Sequence, residues 1–391
     1  LGSIKPPQKS ILGGRPPGKM NASLNEKLRA VKWGEYKLGD LFEINPTKYY
    51  RLANDKILSK SGITPLVSNA SIANGVMGFS NLNPLNKGNS LSCSDTTLGA
   101  ETMYYQKNDY IGYQHIQSLM PKFDRFNSAI AFFIISASHA ATSNGQYDYG
   151  HKFNRKSMRK TVIFLPICDD GSIDFDFMES FIAELEAERV AELSAYLTVS
   201  GLDNYELSSE EENALKNYQF LKWDTYNLEK LFGKSTRGKR LKGDDRIAGT
   251  LPFVTAGEAS EGISAYISND VEVFEKNTTT IDMFGSAKYR NYKYGADDHV
   301  AVVHTEAVPM KAAIFVTSAC HKAAHTGKFD YGHNFYAKDA DALDIQLPTK
   351  DGKPDYDTMA ALISAVQKLV IKDVVLYADR KIEKAKTITK H

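Results

Sequence analysis

Cysteine is scarce in this 391-residue chain. There are three, Cys93, Cys168 and Cys320, far apart and without a CxxC pair. That excludes a disulfide framework and points to a reducing, cytoplasmic setting. Long apolar runs are missing: none approaches the roughly 18 residues that a membrane-spanning helix needs. A dominant charge is missing as well. The 48 Lys and Arg residues against 47 Asp and Glu leave a net +1, so bulk charge cannot grip a polyanion. Catalytic motifs are absent too. There is no Asn-Pro-Pro-Tyr or Asp-Pro-Pro-Tyr, no glycine-rich cofactor loop after a strand, and no Walker A sequence.

What is present is enough material for two or three globular domains, with 42% hydrophobic residues. The start, "LGSIKPPQKSILGGRPPGK", is basic, rich in Pro and Gly, and without an apolar period. Residues 1–30 therefore read as a flexible arm or a cloning remnant, with Met20 a candidate start.

The chain is duplicated. "VKWGEYKLGDLFEI" at Val31 is answered by "LKWDTYNLEKLFGK" at Leu221, which pairs Trp33 with Trp223, the only tryptophans. "TPLVSNASIANGVMGF" from Thr64 matches "LPFVTAGEASEGISAY" from Leu251, and "GQYDYGHKF" from Gly145 matches "GKFDYGHNF" from Gly327. "LPICDDGSIDFDFM" from Leu165 matches "LPTKDGKPDYDTM" from Leu347. The offset shrinks from 190 to 181 along the chain, so the copies share a frame and differ in loop length. Short β-type runs such as "NSLSCS", "TTTIDMF" and "HVAVVH" alternate with one buried-helix pattern per copy, residues 127–142 and 309–325. The fold class is α+β.

Each copy ends in Leu-Pro, an Asp-Gly turn and an acidic helix start, Asp174 with Asp176 or Asp355 with Asp357. Such carboxylates cap a helix N-terminus; the same i, i+2 pair could alternatively ligate a metal. The apolar positions of the two following helices match at offset 181: Met178, Ile182, Leu185 and Leu193 with Met359, Ile363, Val366 and Val374. Spacings of three and four make a packing stripe, used by one helix on the other or by each on its own domain. About 24 residues at ~1.5 Å rise span about 36 Å, close to one turn of B-DNA.

Tandem "W…Y.L.dLF", a variable interior, "LP…DG.pDyd.M" and a helix, from Val31 to the C-terminus, resemble the specificity subunits of restriction–modification systems. The architecture is type I-like; the closing "LPTKDGKPDYDTM" and short helices look closest to type IIB. The resemblance implies two target recognition domains, residues 31–172 and 221–353, each reading half of a bipartite duplex DNA site. It implies spacer helices over residues 173–200 and 354–391 that pack antiparallel and dock methyltransferase or fused methyltransferase–nuclease subunits. It implies no catalysis and no cofactor in this chain, with S-adenosylmethionine and Mg used by an adenine methyltransferase partner. The acidic stretch 201–220 reads as a connector needed once. The competing account is a duplicated protein-interaction adaptor with no DNA role.

Other chemistry is weaker. A nuclease-like set drawn from Asp355 and Asp379-Arg380-Lys381 spreads about 36 Å along one helix and cannot share a metal. Cys320, His321, His325 and His333 could seed a zinc site, but the first copy has Ser138 and Ser143 where Cys320 and His325 stand. No metal site is expected.

Given the resemblance, DNA contacts are expected in loops where cations meet aromatics or hydroxyls. In the first copy these are Lys48, Tyr49, Arg51, Thr96, Thr97, Lys152, Arg155 and Lys156. In the second they are Lys234, Arg237, Lys239, Arg240 and Lys242, then Ser286, Lys288, Tyr289 and Arg290. The shared Asp-Tyr-Gly-His segment reads as a structural joint. Asp148 and Asp330 would bond backbone N–H groups, Tyr149 and Tyr331 would pack, and Gly150 and Gly332 would suit a tight turn. Its polar tips, His151 with Lys152 and His333 with Asn334, remain candidates for phosphate.

Overall fold

The structure, a computed structural model, describes residues 22–148 and 150–388. It is a mixed α+β chain in which two sheet-containing domains are each followed by a long helix. It divides into two compact units, one of residues up to 192 with those from 381 onward, the other of residues 193–380.

The first unit runs α1 (Ala22–Ala30), β1 (Lys32–Lys37), α2 (Leu38–Leu41), β2 (Phe42–Pro46), α3 (Asn54–Ile57), β3 (Thr64–Val67), β4 (Val76–Ser80), β5 (Ser90–Ser94), β6 (Tyr104–Gln106), β7 (Ile116–Pro121), α4 (Ser128–Thr142), α5 (Arg155–Lys160) and β8 (Val162–Ile167), then enters α6 (Phe175–Val199). The second runs α7 (Ser209–Asn217), β9 (Trp223–Asn227), α8 (Leu228–Phe232), β10 (Thr236–Arg237), β11 (Ala248–Val254), β12 (Ile263–Ile267), β13 (Thr278–Asp282), β14 (Ala287–Arg290), β15 (Gly295–Ala296), β16 (Val300–Val303), α9 (Met310–Ala324), α10 (Ala337–Asp341), β17 (Asp344–Lys350), β18 (Lys353–Pro354) and α11 (Tyr356–Ile388).

The duplication is a duplication of topology. One unit has a four-stranded antiparallel sheet in the order β2-β7-β5-β6, the other β10-β16-β13-β14. The hairpin β3-β4 corresponds to β11-β12, and the parallel bridge Leu66–Ile111 corresponds to the parallel pair β11-β15. The Trp-bearing strand pairs antiparallel with the Leu-Pro strand in both, Trp33 opposite Pro166 and Trp223 opposite Pro348. Each indole then stacks on a phenylalanine of the buried helix: Trp33 on Phe133 at 6.3 Å, Trp223 on Phe315 at 6.2 Å. These helices pack apolar side chains onto the sheet, Ile130 and Ile134 in one unit and Ala313 and Val316 in the other. Helix α4 starts where the Asn127 side chain accepts from the N–H groups of Ala129 and Ile130.

The entries to the long helices match bond for bond. Asp174 N–H donates to Pro166 O and Asp355 N–H to Pro348 O, both at 2.9 Å. Asp174 and Asp355 then cap Phe177 and Thr358 through their carboxylates. Asp176 does not cap; it pairs with Arg125.

Several expectations change. Residues 22–30, assigned to a flexible arm, form helix α1, because Leu24 is buried in the first core and Leu28 packs against it. Residues 1–21 lie outside the described residues. The connector is ordered as well. Ser208 and Glu211 form a capping box at the start of α7, and Glu211 is bound by Lys368 at 2.9 Å and by Ser364 at 2.6 Å on α11. So 201–220 does have a counterpart: α1 and α7 each precede the Trp strand and each ties to the long helix of its own unit, Lys27 to Glu184 and Glu211 to Lys368.

The matched stripe also divides. Met178 and Ile182 are buried and Leu185 packs on the first core. Met359 is buried, but Val366 and Val374 are exposed, as are Val370 and Tyr377. The buried positions of α11 flank that stripe instead, Leu362 and Ala365 one residue before it and Val375 and Ala378 one residue after it, so burial moves from one side of the stripe to the other along the helix.

Candidate nucleic-acid interface

The site is built around the four-stranded sheets. In each unit the loop after the edge strand presses against the chain entering the next strand. A Cβ at Gly112 would lie 2.2 Å from Thr47 Oγ1; a Cβ at Gly238 would lie 1.7 Å from Ala296 O. The approach is so close that one partner of each crossing must be glycine, and the two units have placed it on opposite sides.

In the first unit this crossing borders an open cleft of about 900 Å³. Tyr49, Gln114, His115, Arg155, Lys156 and Lys160 line it. The cations come from α5, which begins where Asn154 accepts from the N–H groups of Lys156 and Ser157. Arg155, Lys156 and Lys160 are exposed, as are Lys48 and Arg51 on the neighbouring loop. The cleft floor carries Asp95, whose carboxylate accepts from Gln117 Nε2 at 2.7 Å and meets His115 Nδ1 at 3.2 Å. The threonines are used internally: Thr97 Oγ1 donates to a backbone carbonyl, and Thr96 Oγ1 bonds Ser94. Lys152 is half-buried and outside this cleft's lining.

In the second unit Lys234 before β10, Arg237 on it, and Lys239, Arg240 and Lys242 in the loop after it are all exposed. Arg240 comes within 3.9 Å of Asp298. The group Ser286, Lys288, Tyr289 and Arg290 is a correction. Arg290 is 1% exposed, bonded to Thr280 Oγ1, Glu261 O and the Tyr292 hydroxyl, and lies over the Tyr294 ring. Tyr289 packs on the core and donates to Asn277 Oδ1, its hydroxyl pKa raised by burial. Ser286 is buried, and Lys288 is held by Glu258 and Asp282. Side chains this far buried and bonded to protein partners do not present themselves to phosphates.

Helix α10, the counterpart of α5, presents Ala337, Lys338 and Asp341. The sign reversal at one position has a structural cause. Arg159 donates to Ile44 O at 2.7 Å, while at the matched place Asp341 Oδ1 accepts from Ser235 N–H at 2.7 Å. The same helix-to-edge contact is made with opposite polarity.

The Asp-Tyr-Gly-His segments are joints. Asp148 and His151 exchange backbone bonds, as do Asp330 and His333, and each Asp carboxylate also accepts from its histidine N–H. Phe153 and Phe335 behind them are buried. Tyr149 lies outside the described residues. Tyr331 does not enter a core: it is 86% exposed and meets only the edge of Phe284. Gly332 has no positive φ, so the turn does not require glycine there.

The zinc idea loses its geometry. Cys320 is buried, its thiol pKa pushed up to about 12 by that burial. His321 Nδ1 accepts the N–H of Ala287 and its ring stacks on His325. Among the described residues, the three ligand-type groups that converge are Asp297, Asp298 and His299. No described helix is long and apolar enough to cross a membrane.

Sequence reasoning singled out Lys160 with Arg155 and Lys156 but missed Gln114, His115 and Asp95. The clue was available in "GYQHIQ" and "ADDHVA", a polar run ending in histidine before the same strand in both copies.

Residues 30–195 match the type I restriction modification DNA specificity domain family. The chain is 23% identical over 347 residues to the type II restriction enzyme specificity subunit S.BcgI of Heyndrickxia coagulans, covering 87% of this chain and 96% of that protein. Its fold is that of the type I restriction-modification S subunit from M. genitalium, with 13% identity, 95% of each chain covered and a TM-score of 0.56. Residues 30–195 thus belong to the restriction–modification DNA specificity domains, and the frame repeated beyond residue 195 carries the likeness to specificity subunits, the non-catalytic components that confer DNA specificity, through the second unit.

Proposed function

We propose that each unit reads one half of a bipartite duplex DNA target, and that α6 and α11 set the spacing and dock methyltransferase or methyltransferase–nuclease subunits. The observation that carries this is a shared sheet order with unlike cationic surfaces: α5 and the Tyr49 loop in one unit, the loop after β10 in the other. A scaffold repeated where it is built and varied where it is exposed suits an asymmetric target. The exposed Val366, Val370 and Val374 on α11 supply an apolar surface for a partner subunit. The partner would use S-adenosylmethionine and Mg and would methylate adenine. The test is to map methylated motifs in cells that express this chain with its partner subunits. A two-part motif with a fixed gap is expected. Methylation without sequence preference would overturn the reading, and a pure adaptor would bind DNA no better than the partner alone.

A further inference from the structure

Resting on that reading, we propose that the turn entering the second strand of each four-stranded sheet, residues 113–116 and 297–300, is the base-reading element of its unit. Gln114 and His115 would read in one unit, Asp298 and His299 in the other.

The two turns occupy one position in the frame. Strand pairing places Gln117 opposite Cys93 and Ala301 opposite Ile281. The turns close through matched bonds, Ile116 N–H to Tyr113 O at 3.4 Å and Val300 N–H to Asp297 O at 3.2 Å. A histidine therefore precedes the strand in both. Each turn also lies beside the loop that follows the edge strand: Gln114 and His115 share the cleft with Tyr49, and Asp298 lies 3.9 Å from Arg240.

His115 is held for a purpose beyond packing. It has φ +63°, a left-handed conformation uncommon for a residue with a side chain, yet its side chain is 65% exposed. The Asp95 carboxylate engages the Nδ1 edge of the His115 ring, which leaves Nε2 for a ligand. Asp95 is itself fixed by the buried Gln117. Arg155, Lys156 and Lys160 flank the cleft, where a backbone would be gripped while the turn meets base edges.

The hydrogen-bonding character differs between the turns. Gln114 offers an exposed amide, donor and acceptor together, which suits the N6 and N7 edge of adenine. Asp298 offers acceptors alone, with His299 Nδ1 3.0 Å from it, which suits the amino group of cytosine. One frame thus carries two specificities.

The test uses the holoenzyme with its partner subunits and maps the methylated motif by sequencing. Gln114→Ala with His115→Asn, a residue that tolerates positive φ, should relax one or two adjacent positions of one half-site about tenfold or more and leave the other half unchanged. Asp298→Asn should relax the other half-site. Arg155→Ala with Lys156→Ala and Lys160→Ala should weaken binding at every sequence without changing the motif. A folded double variant that keeps the wild-type motif and preference overturns the proposal. Should His115→Asn lower the melting temperature, Gln114→Ala alone, at an exposed side chain, is decisive, and an unchanged motif overturns the proposal there too. A wild-type holoenzyme with no motif would instead sink the half-site reading.

Discussion

The two units keep one another's hydrogen bonds and discard one another's charges. Asp174 and Asp355 cap their helices alike, Trp33 and Trp223 stack alike, and the two Asp-His joints close alike. Yet α5 is basic where α10 has aspartates, and Arg159 becomes Asp341 in the same contact. The difference teaches where constraint lies. Buried bonds must be satisfied in any copy of the frame, whereas an exposed cation is free to change with the ligand.

The comparison can be broken most severely at the joints. Phe153→Ala and Phe335→Ala should each cost about 3–5 kcal/mol in their own unit. Each unit has one tryptophan, so urea unfolding in Trp33→Phe and Trp223→Phe backgrounds reports them separately. Destabilisation from only one substitution would show that the joints are not equivalent.

A second break is expected at Arg290. Arg290→Met should destabilise the second unit by about 3 kcal/mol, since acceptors buried around the guanidinium lose their donors. The salt dependence of DNA binding should stay as it was, because this arginine does not face solvent.

The latches should differ in acid. Burial alone would raise the pKa of Glu211, but bonds from Ser364, Lys368 and the Ser208 N–H outweigh it and hold it down to about 2. The stabilisation is therefore full above the ordinary carboxylate value of 4.5 and is lost as pH falls toward 2. Glu211→Gln should cost about 1–3 kcal/mol at neutral pH and remove this acid sensitivity, read from the Trp223 signal. Its counterpart in the first unit, Lys27 with Glu184, is exposed on both sides, and Lys27→Ala should change stability by about 0.5 kcal/mol.

The cationic loops sharpen the comparison further. Substituting Arg237, Lys239 and Arg240 together by alanine should lower affinity and flatten the salt slope by about 0.9 for each phosphate no longer neutralised. The matching experiment on Arg155, Lys156 and Lys160 measures how the grip is divided between units. An unchanged slope in either set removes that loop from the interface.

The smallest effect on folding is expected on α11. Val366→Asp should alter stability by no more than about 0.5 kcal/mol, because the side chain is exposed, while reducing co-purification with partner subunits. Leu185→Asp, at the matched place on α6, should instead destabilise the first unit, because Leu185 packs on its core.

Much of the frame was legible in the sequence. Alternating runs became strands, the two apolar stretches became α4 and α9, and the Leu-Pro, Asp-Gly and acidic marks became strand, turn and cap. These features depend on neighbours within a few residues, where pattern is decisive. The site was less legible. Arg290 looks like an exposed cation in the sequence because no local signal reveals that Thr280, Glu261 and Tyr292 close around it. His115 carries only the repeated polar run as a mark, and its partner Asp95 is 20 residues away. The stripe on α11 misleads because an apolar face within a helix does not state which neighbour will cover it.

The sequence by itself determined the duplication, the α+β class, the helix starts and the resemblance to specificity subunits. Each follows from local periodicity, capping chemistry or the order of landmarks. Only the tertiary structure decided which cations are spent inside the protein, that α1 and α7 are equivalent latches, and that two histidine turns hold the same place in the two sheets. Those facts depend on strand register and on long-range contacts, which bring together residues that the linear order keeps apart.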